Sequence, residues 1–313
     1  MIRWWIDLWD REEPATALAA LRVSISAALL LDLLTVGRLG LVQLLWSPKE
    51  GGGLLNPLAR DAVPLLYQWL PPEPWAATAI HVAFCVLALA FGAGLFTRLS
   101  GLLLVLLYAQ VAALFPFGDR GIDLLLRNAL VILLFSRCGA AWSLDALRRT
   151  GSLRGDGAPV PAWPRHLLIL QLSVVYFMAG VQKIAPSWWP MGGFEALYLV
   201  YQNPAVSRWP FEWVASWAPV TRLATAATLL FEWSAWILPL LYWFRATRER
   251  PGRLRAWANR LKLRSAWVFV GVLLHLGIAL TMQLGLFPYG MLALYPAFFH
   301  PDELAALSRR LFG

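Results

Sequence analysis

The chain has 313 residues, of which 59% are hydrophobic and only 14% are charged. Soluble domains carry about 25% charged residues, so this composition excludes an ordinary water-soluble protein. The formal net charge of +9 would suggest nucleic-acid binding in a soluble protein. Here most basic residues fall in short loops between apolar blocks, as in membrane proteins, so no nucleic-acid partner is expected.

The apolar residues form continuous blocks close to the roughly 20 residues that a helix needs to cross a bilayer. The blocks are rich in Leu and Ala and lack the alternation of barrel strands, so they predict helices. We predict an all-α protein, a polytopic transmembrane helical bundle of about eight spans. The predicted spans are 15–36, 76–96, 99–115, 122–135, 167–184, 223–244, 266–282 and 286–299. The last span holds Pro288 and Pro296 and is either a full crossing or a re-entrant segment.

Basic residues are distributed unequally between the two sets of loops. One set holds Arg98, five arginines within 137–165, and eight basic residues within 245–264. The other set holds Arg38, Lys49, Arg60, Arg120 and Arg208. The positive-inside rule predicts a multi-pass membrane protein with a cytoplasmic N-terminus, and it leaves the side of the C-terminus open.

The rest of the sequence predicts one transmembrane domain over residues 1–313, without a large extramembrane domain. The N-terminus lacks the features of a removable signal peptide. The cysteines are Cys85 and Cys138, so neither a disulfide framework nor a metal-binding cluster is expected.

Two long outer loops, 37–75 and 185–220, are unusual. The first carries three consecutive glycines at 51–53 and then an amphipathic stretch, LLNPLARDAVPLLYQWLPP. The second carries five tryptophans, Trp188, Trp189, Trp209, Trp213 and Trp217. Aromatic side chains of this kind either anchor a protein at the membrane interface or form a lid over a lipid-accessible pocket.

Ionisable residues inside predicted spans are candidate functional residues, because each is costly in hydrocarbon unless it is paired or faces water. They are Arg22, Asp32, His81, Asp123, Arg127, Lys183, Glu232 and His275. Asp123 and Arg127 are four residues apart, which predicts an ion pair on one helical face. Arg22 is expected to have a structural role and to extend its stem towards the headgroups.

Lys183 is the most informative of these residues. Tyr176, Gly180 and Lys183 share one helical face, and the glycine leaves space beside the amine for a neighbour or a ligand. Desolvation favours the neutral amine, which is the form that acts as a base. The alternative is that Lys183, near a span end, simply extends to the interface.

Glu232 and His275 complete the candidate site. Glu232 lies in LLFEWSAWILP, in which Pro239 should bend the helix, and its role is either helix pairing or a site function. His275 is either a satisfied core residue or a catalyst. We expect the helices carrying Lys183, Glu232 and His275 to converge on one cavity near the outer leaflet, lined by Tyr176 and Tyr289.

Three runs of sequence resemble the transmembrane region of the vitamin K-dependent gamma-carboxylase family, including its bacterial HTTM (horizontally transferred transmembrane domain) relatives. They are WSLDAL at 142–147, YFMAGVQKI at 176–184 and LHLGIALTMQLGLFPYGMLA at 274–293. GLFTRLSGLLL at 94–104 adds weaker support.

The resemblance implies a site and a cofactor. It implies Lys183 as the base that deprotonates a reduced quinone, of the vitamin K hydroquinone or menaquinol type, and His275 as a second catalytic residue. Tyr176, Gly180, Glu232 and Tyr289 are then expected to bind the cofactor.

Two departures from the family limit what the resemblance implies. The family's Asn-His pair is replaced near Ile122 and Asp123, and the chain ends at Gly313 without the large region that binds peptide substrates. Two hypotheses follow: a carboxylase-like enzyme that uses a reduced quinone, or a non-enzymatic membrane protein that handles a lipid or assists maturation or export of a secreted peptide. The expected partners are the lipid bilayer, a prenyl-quinone or lipid, and a peptide or protein.

Overall fold

The structure, a computed structural model, describes residues 9–54, 65–71 and 73–304, together with Ile6 and Ala306. It is 73% helical, which confirms the predicted all-α class. The helices of the described part are α1 (Thr16–Arg38), α2 (Val42–Trp46), α3 (Leu65–Trp69), α4 (Pro74–Ala93), α5 (Thr97–Leu114), α6 (Gly121–Leu134), α7 (Leu144–Thr150), α8 (Trp163–Val181), α9 (Ala196–Tyr201), α10 (Ala218–Ser234), α11 (Leu238–Ala246), α12 (Arg253–Arg260), α13 (Leu263–Thr281) and α14 (Phe287–Leu294). Two short strands, β1 (Glu12–Glu13) and β2 (Val160–Pro161), pair antiparallel.

Six helical segments of the described chain are long and apolar enough to cross a membrane. They are α1, α4, α5, α8, the combined segment 218–246 formed by α10 and α11, and α13. Many of their large apolar side chains are exposed, including Leu223, Leu230 and Phe269. A bilayer explains this exposure, because lipid replaces water around these side chains. The chain is therefore a multi-pass membrane protein.

The other two predicted spans correspond to shorter helices. The predicted span 122–135 is α6, with 14 residues, and the predicted span 286–299 is α14 followed by a 3₁₀ turn at 295–298. A 3₁₀ turn at 235–237 separates α10 from α11 just before Pro239, and the bend at Pro239 stays a prediction. Residues 55–64, which include Arg60 and most of the amphipathic stretch predicted in the first outer loop, lie outside the described residues.

The chain divides into two compact units. The N-terminal unit comprises residues 9–165 and 299–313. In it α4 packs against both α1 and α5, and α6 packs against α5 and α1. Short connections join α4 to α5 and α5 to α6, which is typical of antiparallel neighbours in a bundle.

The C-terminal unit comprises residues 1–8 and 166–298. Here α13 packs against α10, α11, α12 and α14. The side chain of Tyr176, on α8, packs against the rings of Phe231 on α10 and Trp267 on α13. These contacts bring together the three helices that carry or precede Lys183, Glu232 and His275.

Candidate functional site

Lys183 forms an ion pair with Glu232 in the C-terminal unit. Lys183 follows the end of α8, and its Nζ lies 2.7 Å from Oε1 and 2.6 Å from Oε2 of Glu232, near the end of α10. The two side chains are only 19% and 10% exposed. The Lys183 Nζ also lies 4.8 Å from the centre of the Trp188 ring. The Lys183 amine thus contacts the Glu232 carboxylate and the face of the Trp188 ring, both within the C-terminal unit.

Gly180 allows α8 to approach α10 closely enough for this pair to form. A Cβ at Gly180 would lie 2.9 Å from Cδ1 of Trp233 and 3.1 Å from Cβ of Glu232, closer than side chains normally pack. The space predicted beside the amine is therefore occupied by the neighbouring helix. Any larger residue at this position would push Glu232 away from Lys183.

A second polar group is fully buried in the same unit. The Tyr176 hydroxyl lies 2.5 Å from Nε2 of His275 and 2.9 Å from the hydroxyl of Tyr295. His275 is 1% exposed, and its Nδ1 has no hydrogen-bond partner among the described residues. A buried ring nitrogen without a partner costs free energy, so it marks a place where a further polar group would be stabilising.

Tyr295 is a member of this group that the sequence argument missed. Gly271 makes room for it, because a Cβ at Gly271 would overlap the Tyr295 hydroxyl. The signal available in the sequence was weak: a tyrosine within an apolar segment needs a hydrogen-bond partner, but its identity depends on the packing of distant helices.

An apolar groove of about 380 Å³ adjoins the ion pair. It is lined by Trp189, Pro190, Phe194, Ala226, Leu229, Leu230 and Trp233. Trp189 Nε1 donates a hydrogen bond of 2.8 Å to the Lys183 carbonyl, and the Trp189 and Trp233 rings are 6.1 Å apart, edge to face. The lining of the groove is aromatic and aliphatic, and it includes Trp189, which binds the Lys183 carbonyl, and Trp233, the residue after Glu232.

The structure thus gathers the predicted site residues into two hydrogen-bonded groups. Lys183 and Glu232 form one, and Tyr176 and His275 belong to the other. Tyr289, on α14, belongs to neither group and is 37% exposed. The catalytic and cofactor-binding roles assigned to these residues stay predictions.

The predicted ion pair between Asp123 and Arg127 in the N-terminal unit is wrong. Arg120 binds Asp123 through Nε at 2.7 Å, and its Nη2 lies 2.7 Å from Asp32. Asp123 also accepts a hydrogen bond of 2.6 Å from the Tyr108 hydroxyl. Arg127 instead pairs with Asp119 at 2.7 Å. The actual partners, Arg120 of Asp123 and Asp119 of Arg127, both precede α6 and lie outside the predicted span.

Arg22 has the structural role expected of it, but it does not extend to the headgroups. It is fully buried, and its guanidinium donates to the carbonyl oxygens of Cys138, at 3.0 Å, and Trp142. Carbonyl acceptors replace the water that this charge would otherwise need.

The WSLDAL run contacts the GLFTRLSGLLL run. The Asp145 carboxylate accepts hydrogen bonds from Phe96 N at 2.9 Å and Thr97 N at 2.7 Å, which caps the first turn of α5. Asp145 N donates to the Gly94 carbonyl at 2.9 Å. Gly94 has a φ of +68° and a Cβ there would overlap Ser143, so the junction requires glycine. These two runs therefore hold helices together.

The model of the HTTM domain family matches residues 11–250. The matched segment includes the Lys183–Glu232 pair and ends before His275. No solved structure matches the chain. Because the match covers well over half of the 313 residues, this chain belongs to the HTTM domain family.

Proposed function

We propose that this protein is a carboxylase-like membrane enzyme that uses a reduced quinone, with Lys183 as its base. Membership of the HTTM domain family makes it a membrane protein related to carboxylase-type proteins. The observation that carries the finer proposal is the Lys183–Glu232 pair beside an apolar, tryptophan-lined groove.

The pair provides a proton acceptor of low exposure. A proton can move between Lys183 Nζ and Glu232 across a contact of 2.6 Å. When that proton lies on Glu232, the neutral amine of Lys183 is free to accept another from a bound hydroxyl group. Glu232 therefore positions the base and takes up its proton.

The residues around the pair fit a prenyl-quinone. The groove offers two tryptophan rings and aliphatic side chains to an aromatic ring and its prenyl chain, and the pair offers polar atoms to a hydroxyl at one end. When bound, a hydroquinone would supply two electrons and two hydroxyl protons. In this proposal His275 is a second site residue, because its free Nδ1 can bind a polar group, and Tyr176 fixes its ring.

Quinol binding, and quinol oxidation with dissolved dioxygen as the electron acceptor, test the proposal in purified protein reconstituted with reduced menaquinone. Lys183→Ala and Glu232→Gln should each lower the rate of quinol oxidation by about 10²- to 10⁴-fold, the usual contribution of general acid–base catalysis. The matched control is Arg222→Ala, which breaks the exposed Arg222–Glu195 ion pair of the same unit and should leave the rate unchanged.

The control for folding is the melting temperature in detergent, which should remain close to that of the parent for Arg222→Ala. Lys183→Ala and Glu232→Gln each leave one member of a little-exposed pair without its partner, so both should remain folded but melt at a lower temperature. Full activity in Lys183→Ala would remove the base assignment. It would then favour the non-enzymatic alternative, a protein that handles lipid or assists a secreted peptide. The structural feature in favour of that alternative is the row of half-exposed tryptophans Trp209, Trp213 and Trp217.

A further inference from the structure

A basic cavity in the N-terminal unit is lined by none of the residues of the proposed function. It has a volume of about 480 Å³. It is lined by residues from the start of α5, the end of α6, the turn at 136–140 and α7. Three arginines line it: Arg98, Arg137 and Arg149. All three side chains are exposed, and no hydrogen bond or ion pair engages their guanidinium groups among the described residues.

The acidic residues near this cavity do not cancel its positive charge. Asp145 lines the cavity, but its carboxylate is already bound to the backbone of Phe96 and Thr97. The pKa of the Asp156 carboxyl is lowered, first by a hydrogen bond from Ala158 N and then by the charges of Arg149 and Arg137. Three arginines and one carboxylate therefore line the cavity, and a fourth arginine, Arg148, stacks on the ring of Phe96 beside them.

The position of the cavity is that of the lipid headgroups. Arg98 is the second residue of α5, which is one of the membrane-crossing helices, so the cavity opens where the hydrocarbon ends. Directly below the arginines, α5 presents an exposed apolar surface that includes Leu99, Leu102, Leu103 and Leu106. A charged cavity continued by an apolar helix face matches an amphiphile with an anionic head.

We propose that this cavity binds the phosphate headgroup of an anionic phospholipid, with its acyl chains along α5. Guanidinium groups bind phosphate oxygens through paired hydrogen bonds, and three of them around one cavity hold a phosphodiester from several sides. The bound chemistry is a phosphate group; its source is the membrane, because the apolar surface below the arginines would have no role towards a soluble anion.

The test is binding of phosphatidylglycerol to the full chain, measured by native mass spectrometry in detergent. The site variant is Arg98→Gln/Arg137→Gln/Arg149→Gln. The matched control, Arg248→Gln/Arg250→Gln/Arg253→Gln, removes the same charge from three exposed arginines of the C-terminal unit. The site variant should bind phosphatidylglycerol on the order of 100-fold more weakly, since each arginine contributes about 1 kcal/mol near an anionic lipid. The control should bind like the parent.

Three results would overturn the proposal. Equally weakened binding of phosphatidylglycerol in both triple variants would indicate diffuse electrostatic attraction without a site. Binding of phosphatidylcholine as tight as that of phosphatidylglycerol would show that the headgroup charge is not recognised. Displacement of the lipid by an equal concentration of inorganic phosphate would show a site for a soluble anion. Should the site variant lose its fold, the single variants Arg98→Gln and Arg149→Gln decide the matter, with about fivefold weaker binding expected for each.

Discussion

Arg120 lies between two carboxylates of the N-terminal unit, those of Asp32 and Asp123, and forms an ion pair with each. Replacing it with alanine would leave these carboxylates close together with no cation between them. We expect Arg120→Ala to lower the free energy of unfolding by about 1 to 3 kcal/mol, less than for a fully buried pair because the Arg120 side chain is 39% exposed. The melting temperature in detergent measures the loss.

The matched control for this prediction is Arg127→Ala. Its partner Asp119 has a side chain that is 27% exposed and can regain water. The loss should therefore be smaller than for Arg120→Ala. A larger loss in Arg127→Ala would mean that Arg127, rather than Arg120, compensates Asp123.

At the residue scale the sequence predicts which charged side chains cost free energy inside a span, but not which residues they pair with. Lys183 and Glu232 were each identified as unusual because charge inside a span needs a partner. Their pairing depends on the close approach of two helices at Gly180, which no local pattern encodes. The Asp123–Arg127 prediction failed for a related reason: helical spacing cannot account for a competing carboxylate, Asp119, in the turn before the helix.

At the scale of elements, the N-terminus of α5 depends on a side chain from a distant part of the chain. Partial burial opposes ionisation of Asp145, but hydrogen bonds from Thr97 N, Thr97 Oγ1 and Phe96 N outweigh it and lower its pKa. A carboxyl with a lowered folded-state pKa stabilises the fold above its unfolded pKa, about 3.9. That contribution is lost as the pH falls through the lower, folded-state pKa.

This pH dependence is testable with Asp145→Asn, which keeps the shape but cannot ionise. The melting temperature of the parent should fall between pH 7 and pH 3 by more than that of the variant, and the two should converge at the acid end. At pH 7 the variant should be less stable by about 1 kcal/mol, the usual contribution of a helix N-cap. Parallel curves for the two proteins would show that Asp145 does not contribute through its charge.

Long spans were predictable from the sequence because hydrocarbon thickness sets a minimum apolar length. The short helices were less predictable from the sequence. The last predicted span, 286–299, ends in a 3₁₀ turn at 295–298. Within 185–220, the 3₁₀ turns and the short helix α9 have no apolar periodicity from which they could be predicted. Their form depends on tertiary contacts, such as the hydrogen bond of 3.1 Å that Leu197 N, in α9, donates to Thr225 Oγ1.

At the scale of the whole molecule, the distribution of arginines predicts the orientation in the membrane. The segment 245–264 contains eight basic residues and should be cytoplasmic, whereas the aromatic segment 185–220 should be external. Single cysteines placed at Arg250 and at Trp213, which are both exposed, can be labelled with an impermeant thiol reagent in intact cells, in a background where Cys85 and Cys138 are replaced by serine. We expect labelling at position 213 only. Labelling at position 250 only would reverse the orientation.

The buried Arg22 has a consequence for how the protein is made. Its two carbonyl acceptors, in Cys138 and Trp142, lie more than a hundred residues later in the chain. When the ribosome has delivered only the first apolar helix, the guanidinium has neither acceptor. It must then be accommodated by water, by lipid phosphates or by the insertion machinery until residue 142 has been synthesised. The first helix can therefore reach its final environment only after α4, α5 and α6 have entered the membrane or reached its surface. Its insertion is thus completed late, although it is synthesised first.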